Sequence, residues 1–402
     1  MKPQAHTGWL LAGLLTALAG PPARAEDGLQ LTGGLAISHD DNLFRLRDGV
    51  DPQAALGRAD GGETITISSL GLSYSKPWGL QRLEATVGLV DYRYQRYPQL
   101  DLQARNHDIS WFWAVTPRLQ GRLHTERRES VNTFDDTSAL NQSNARLRRH
   151  EAFDATYEID GVWRALGNLR STYDSSEQEQ QGEDSYRART LETGLRYQAL
   201  SGNSATVWLR RSKGKRLGDE PASSSSDRDQ DYTQTEQSLD LQMALTGKTQ
   251  ASLVLTRLSR SHPAVPARDF SAGEASLALR WVPTGKLQGS LNWASQVASY
   301  QTDGASYSRT QTLGGTLAWQ MTARTSLQGA LSESRRRYLG ALDGQTPDPL
   351  RDRTRQGSLA LRWSATRNLS LDSSVQEVRR SANLPGYAYR SRQWQLGLNA
   401  AF

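Results

Sequence analysis

The 402-residue sequence contains no cysteine, so neither disulfides nor thiolate chemistry can support its fold or its function. Beyond the N-terminus it has no apolar run of about 18 residues, and a helical membrane protein is excluded. Histidine is scarce: His39, His107, His124, His150 and His262 are the only ones after His6, and none lies in a recognisable nucleophile motif. Lysine is scarce too. Of the 48 basic residues only Lys2, Lys76, Lys213, Lys215, Lys248 and Lys286 are lysines; the rest are arginine, the planar, bidentate partner of carboxylate and phosphate.

What the sequence does have is alternation. Glu274 to Trp281 puts Ala275, Leu277, Leu279 and Trp281 on one face and Ser276, Ala278 and Arg280 on the other, as side chains of a strand must alternate. Pro283-Thr284-Gly285 then makes a turn, and Leu287, Gly289, Leu291 and Trp293 resume the pattern, giving a hairpin. Related hairpins recur with turns near Trp78, Pro117, Gly161, Gly202, Gly247, Ala323 and Thr366, at spacings of 37 to 45 residues. Longer Ser/Asp/Arg-rich connections lie between them, among them 39–62 and the low-complexity stretch 218–231. Short turns at one end, polar loops at the other and strands of roughly ten alternating residues are the pattern of a transmembrane β-barrel.

The mean hydropathy of -0.65 fits this reading, because only half of each strand would meet lipid. A soluble sandwich or propeller would also alternate, but aromatics near strand ends and the N-terminal address argue against it. That address is Met1–Ala25: Lys2, an apolar run from Trp9 to Ala19, and Ala23-Arg24-Ala25 as a cleavage site. A signal peptide over 1–25 is therefore expected, followed by one barrel domain over 26–402 in the outer membrane of a Gram-negative bacterium. The fold class is all-β, an antiparallel up-and-down barrel of eighteen strands, with sixteen as the alternative if a weak strand near Trp163–Tyr173 is lost. Among the strands read from the pattern are Asp108–Val115, Ser238–Leu245, Thr312–Met321 and Ser358–Trp363.

The alternation assigns Glu84, Asp108, Asp154, Glu158, Glu192, Asp240 and Asp372 to the lumen, with Arg122, His124, Arg170, Arg196, Arg210, Arg280 and Arg362. Both signs are present, so a uniformly positive pore is not expected, and no acid and base can be singled out as catalytic. Arg335, Arg336 and Arg337 fall where a strand should meet its long loop and are assigned to the outer rim, against phosphorylated outer-leaflet lipid including lipopolysaccharide, or an anionic polymer. His39-Asp40-Asp41-Asn42 lacks the spaced ligands and terminal glutamate of a calcium loop. No metal, cofactor, nucleic-acid partner or enzymatic activity is expected. Trp394, Leu396, Leu398, Ala400 and Phe402 form a final alternating strand with a terminal aromatic, similar to the segment that outer-membrane assembly machinery recognises.

Together with the hairpin spacing and Phe402, the stretch Asp40-Asp41-Asn42-Leu43-Phe44-Arg45-Leu46 resembles the EpsL-type outer-membrane β-barrels of exopolysaccharide, exosortase-associated gene clusters. The resemblance implies export of an extracellular polysaccharide through the lumen, with periplasmic polysaccharide-export proteins as partners, and carries no catalytic residues. A general diffusion porin for small solutes is the other reading that the residues allow, and an outer-membrane enzyme is a distant third.

Overall fold

The computed structural model describes residues 28–131, 145–177, 185–217, 231–302 and 304–402. The expected leader over 1–25 and nearly all of the 218–231 connection lie outside the described residues. The chain forms β1 (Gly28–Asp40), β2 (Glu63–Trp78), β3 (Gln81–Tyr94), β4 (Leu102–Thr116), β5 (Leu119–Val131), β6 (Ala145–Glu158), β7 (Trp163–Ser176), β8 (Tyr186–Gln198) and β9 (Ser204–Arg216). It continues with β10 (Asp231–Thr246), β11 (Thr249–Ser261), β12 (Phe270–Thr284), β13 (Leu287–Thr302), β14 (Ala305–Gln320), β15 (Thr325–Leu339), β16 (Arg351–Ser364), β17 (Leu369–Ala382) and β18 (Tyr389–Ala401).

Each strand pairs antiparallel with the next, and β1 pairs with both β2 and β18, so the 18-stranded sheet closes on itself. Closure leaves no sheet edge, which is what a bilayer requires of a β-structure. Eighteen strands, not sixteen, are present, because the stretch from Trp163 pairs along its whole length with β6 and β8.

One face carries the apolar residues. Leu291, Leu313, Leu317, Leu359, Leu361 and Leu398 are all about half exposed, as expected of an outward, lipid-facing band. Leu317 and Leu279 lie on it, whereas Thr316, Ser276 and Asn399 lie on the opposite, inward face. At the short-turn end the outward band finishes in Trp111, Trp163, Tyr197, Trp281, Trp319 and Trp363, an interfacial girdle. Small residues make room for such rings: a Cβ on Gly121 would stand 2.4 Å from Cζ2 of Trp113.

The strands run further toward the long-loop end than alternation suggests. β4 begins at Leu102 rather than Asp108, β10 at Asp231 rather than Ser238, β14 at Ala305 rather than Thr312, and β16 at Arg351 rather than Ser358. Beyond the apolar band both faces of a strand are polar, so the hydrophobic signal ends while the ladder continues.

Candidate functional site

The candidate site is the inner wall. Glu84, Asp108, Arg122, Asp154, Glu158, Arg170, Glu192, Arg196, Arg210, Asp240, Arg280, Arg362 and Asp372 all occupy inward positions by register. The structure brings most of them together as cross-strand ion pairs. Arg122 Nη2 meets Asp154 Oδ2 at 3.1 Å, and Asn168 donates to the other oxygen of Asp154. Arg210 Nε meets Glu192 Oε1 at 2.6 Å, its terminal nitrogen reaches Glu236, and Arg170 stands 3.8 Å from Glu192. Glu158 pairs with Arg164 at 3.7 Å, and within β3 Glu84 pairs with Arg82 at 3.0 Å.

These pairs cover one side of the lumen, from β3 to β10, and Arg362–Asp372 at 2.5 Å adds one on β16 and β17. The other side carries fewer charges. Toward the short-turn end, β10 to β15 present Gln242, Gln250, Ser252, Gln288, Ser290, Asn292, Thr316 and Gln328 around a depression of about 310 Å³. Arg280 is the one charged residue lining it, donating to Gln288 Oε1 at 3.4 Å; Arg196 instead donates to Thr206 at 3.0 Å. Charge-balanced pairs on one wall and amides and hydroxyls on the other make a wet, polar lining with little net field.

Sequence reasoning missed the inward groups closer to the long-loop end. Arg146 and Arg148 hold Asp174 at 2.7 and 3.1 Å. Arg336 and Arg380 hold Asp352 at 3.1 and 3.0 Å, and Tyr338 donates to the same oxygen at 3.2 Å. Arg335, Arg336 and Arg337 stand at the long-loop end of β15. All three lie within β15, where the period of two turns Arg336 inward and leaves Arg335 and Arg337 outside. Extending the alternation past the last leucine would have revealed this split.

The first loop, 41–62, folds against the inner wall. Leu43 and Phe44 are buried with Ile65, Ile67, Tyr94, Tyr97 and Leu100, and the Phe44 and Tyr97 rings meet edge to face at 4.9 Å. Because Ile65 and Tyr94 are register partners on the inward face, this cluster lies on the lumen side. Arg45 takes a left-handed φ of 54°, held by Asp40 Oδ2 and Ser391 Oγ, each at 2.8 Å. Asn42 accepts from Leu46 N at 2.7 Å and donates to Arg390 O at 2.9 Å. The Asp-Asp-Asn-Leu-Phe-Arg stretch is therefore an anchor that ties the loop to β18. Further along the loop, helix α1 (Pro52–Leu56) is capped by Asp51, which accepts from Gln53 N at 3.0 Å. The Arg96 guanidinium and the Gly62 N–H hold the Asp60 carboxyl below its ordinary pKa.

One cluster has the composition of a hydrolase relay. Ser110 Oγ lies 3.0 Å from His124 Nδ1 and Asp108 Oδ1 lies 3.6 Å from the same nitrogen. A base that activates serine must use one ring nitrogen for the hydroxyl and the other for the carboxylate. Here both contacts converge on one nitrogen, so the geometry is that of a wall hydrogen bond.

The closed barrel, its outward apolar band and its polar inner wall define a porin-like outer-membrane β-barrel. A family model described as "Putative beta-barrel porin 2" matches residues 267–402, the last third of the chain. Among solved structures, the chain is similar to OccK9 (OpdG) of Pseudomonas aeruginosa, with a TM-score of 0.51, 10% identity, and 94% of this chain and 99% of that one covered. OccK1 (OpdK) of the same organism gives 0.51, 7%, 93% and 99%. OccK2 (OpdF) in complex with glucuronate gives 0.50, 11%, 94% and 98%. At these identities the likeness is one of fold. No curated protein sequence matches the chain.

Proposed function

We propose that the protein is a passive outer-membrane channel for small hydrophilic solutes, with its short turns in the periplasm and its long loops outside. The observation that carries this reading is the two-sided lining: neutralised ion pairs from β3 to β10 facing amides and hydroxyls from β10 to β15. A barrel of 18 strands is wide enough for an aqueous path, and the first loop, folded inward at the outer end, narrows it. With fixed charges paired across adjacent strands, ion selectivity is weak. Hydroxyl-rich solutes suit the amide–hydroxyl wall, and the glucuronate held by the similarly folded OccK2 is of that kind.

Passage of an extracellular polysaccharide is the second reading. It rests on the resemblance carried by Asp40–Leu46 and on the amide–hydroxyl wall, which could slide past sugar hydroxyls without gripping them; the inward-folded first loop counts against a wide polymer path. Purified protein in liposomes separates the two. Swelling in monosaccharides and small uronic acids, together with unchanged secreted polymer on gene deletion, is the predicted result. Impermeable liposomes with loss of secreted polymer on deletion would replace the porin reading by export.

A further inference from the structure

The outward face of β14 to β18 ends in arginine where the apolar band ends. One tier runs Arg309, Arg337, Arg351 as direct cross-strand partners, a second pairs Arg335 with Arg353, and a third runs Arg355, Arg379, Arg390. Arg392 completes nine outward arginines against two glutamates. Glu333 is held by Arg335, Arg353 and Arg355, and Glu377 by Arg390 and Arg392. Among the described residues, the side chains of Arg309, Arg337, Arg351 and Arg379 have no acidic partner.

Like charges placed directly opposite on neighbouring strands destabilise a sheet. Basic residues edge the band on other strands as well, but on β12 and β13 the corresponding outward positions are Ser271, Gly273, Ser295 and Ser299, so the charge is concentrated rather than uniform. Directly below the arginines, the outward surface is hollowed. Gly315 and Gly357 take positions where the band otherwise carries leucine, leaving a groove of about 570 Å³ flanked by Leu291, Leu313 and Leu331, with Arg355, Arg379 and the two ion-paired glutamates, Glu333 and Glu377, at its upper edge. A Cβ on Gly357 would stand 3.2 Å from Leu331 Cδ2 and begin to fill it.

We propose that this surface binds a phosphorylated lipid of the outer leaflet, its phosphates bridging the arginine tiers and an acyl chain lying in the groove. Guanidinium groups bind phosphate through charge-assisted, bidentate hydrogen bonds, and the excess of positive charge on this face matches a multiply charged headgroup. The groove sets the partner apart from a free anion, because it adjoins the charge on the hydrocarbon side. The inference needs the long loops to face outward but not any particular solute in the pore.

The test uses the full-length protein in a neutral detergent, with lipid A, dephosphorylated lipid A and inorganic phosphate as separate additions. Lipid A should raise the unfolding temperature, while the dephosphorylated lipid and inorganic phosphate at equal phosphorus should not. The triple variant Arg337→Gln, Arg351→Gln, Arg379→Gln should lose the lipid A shift, and without lipid A should unfold no earlier than the wild type, since repulsion has been removed. Gly357→Leu should weaken the shift with the arginines intact. Conductance of the triple variant in neutral bilayers should equal that of the wild type. An equal shift with inorganic phosphate, an undiminished shift in the triple variant or Gly357→Leu, an earlier-unfolding lipid-free variant or an altered conductance each overturns the proposal.

Discussion

Phe402 and Leu31 exchange two backbone hydrogen bonds, each 2.8 Å, across the seam between the last strand and the first. The Phe402 ring itself is exposed at 72%, so it is the main chain of this residue that helps to close the barrel. Nine further register pairs, from Thr32–Ala401 to Asp40–Gln393, complete the seam. Leu31→Pro removes one donor and fixes φ in a ladder that has no tolerance for either. The variant should lose the difference in gel mobility between heated and unheated samples that marks a closed barrel, whereas Leu31→Val should keep it.

Adjacent residues on β14 offer a sharper test of which face meets lipid. Leu317→Arg should cost about 2–4 kcal/mol in folding into a bilayer, and Thr316→Arg close to nothing. Equal costs, measured by denaturant titration in lipid vesicles, would mean that the two faces are exchanged.

Arg210 neutralises both Glu192 and Glu236 on the charged wall. Arg210→Ala strands two carboxylates that are largely buried, and the loss should approach about 3 kcal/mol, the low end for a broken buried pair, because the lumen is wet. The same variant should move the reversal potential of a salt gradient toward cation selectivity. Glu192→Gln should move it the opposite way.

Phe44 packs the first loop onto the inner wall. Phe44→Ala removes a buried aromatic at a cost of about 3–5 kcal/mol to the loop's docking, and single-channel records should show higher, noisier conductance. Asp60 contributes in the same direction. With its pKa held below the ordinary value of about 3.9, its stabilisation is present above that value and lost as pH falls through the lowered one. Solvent screening keeps that contribution small, so acid should add flicker without releasing the loop.

Much of the fold was legible in the sequence because each leucine–tryptophan alternation carries its own register. The eight short turns stand where Trp78, Pro117, Gly161, Gly202, Gly247, Thr284, Ala323 and Thr366 place them. The long-loop ends were not legible. There Arg335, Arg336 and Arg337 look alike once the leucines stop, and the pairing of Arg336 with Asp352 marks the one that faces inward. Nor could alternation reveal that Leu43 and Phe44 turn inward, because their partners, Ile65 and Tyr97, belong to different segments and come together only once β2 and β3 pair.

The central claim is that the lumen is an open, nearly charge-balanced polar path, and the reversal potential of the reconstituted wild-type protein across a potassium chloride gradient tests it most directly. A steady ohmic conductance with a reversal potential close to zero is the predicted result. A membrane that stays electrically silent with the folded barrel inserted, or a strongly anion-selective current, would contradict it.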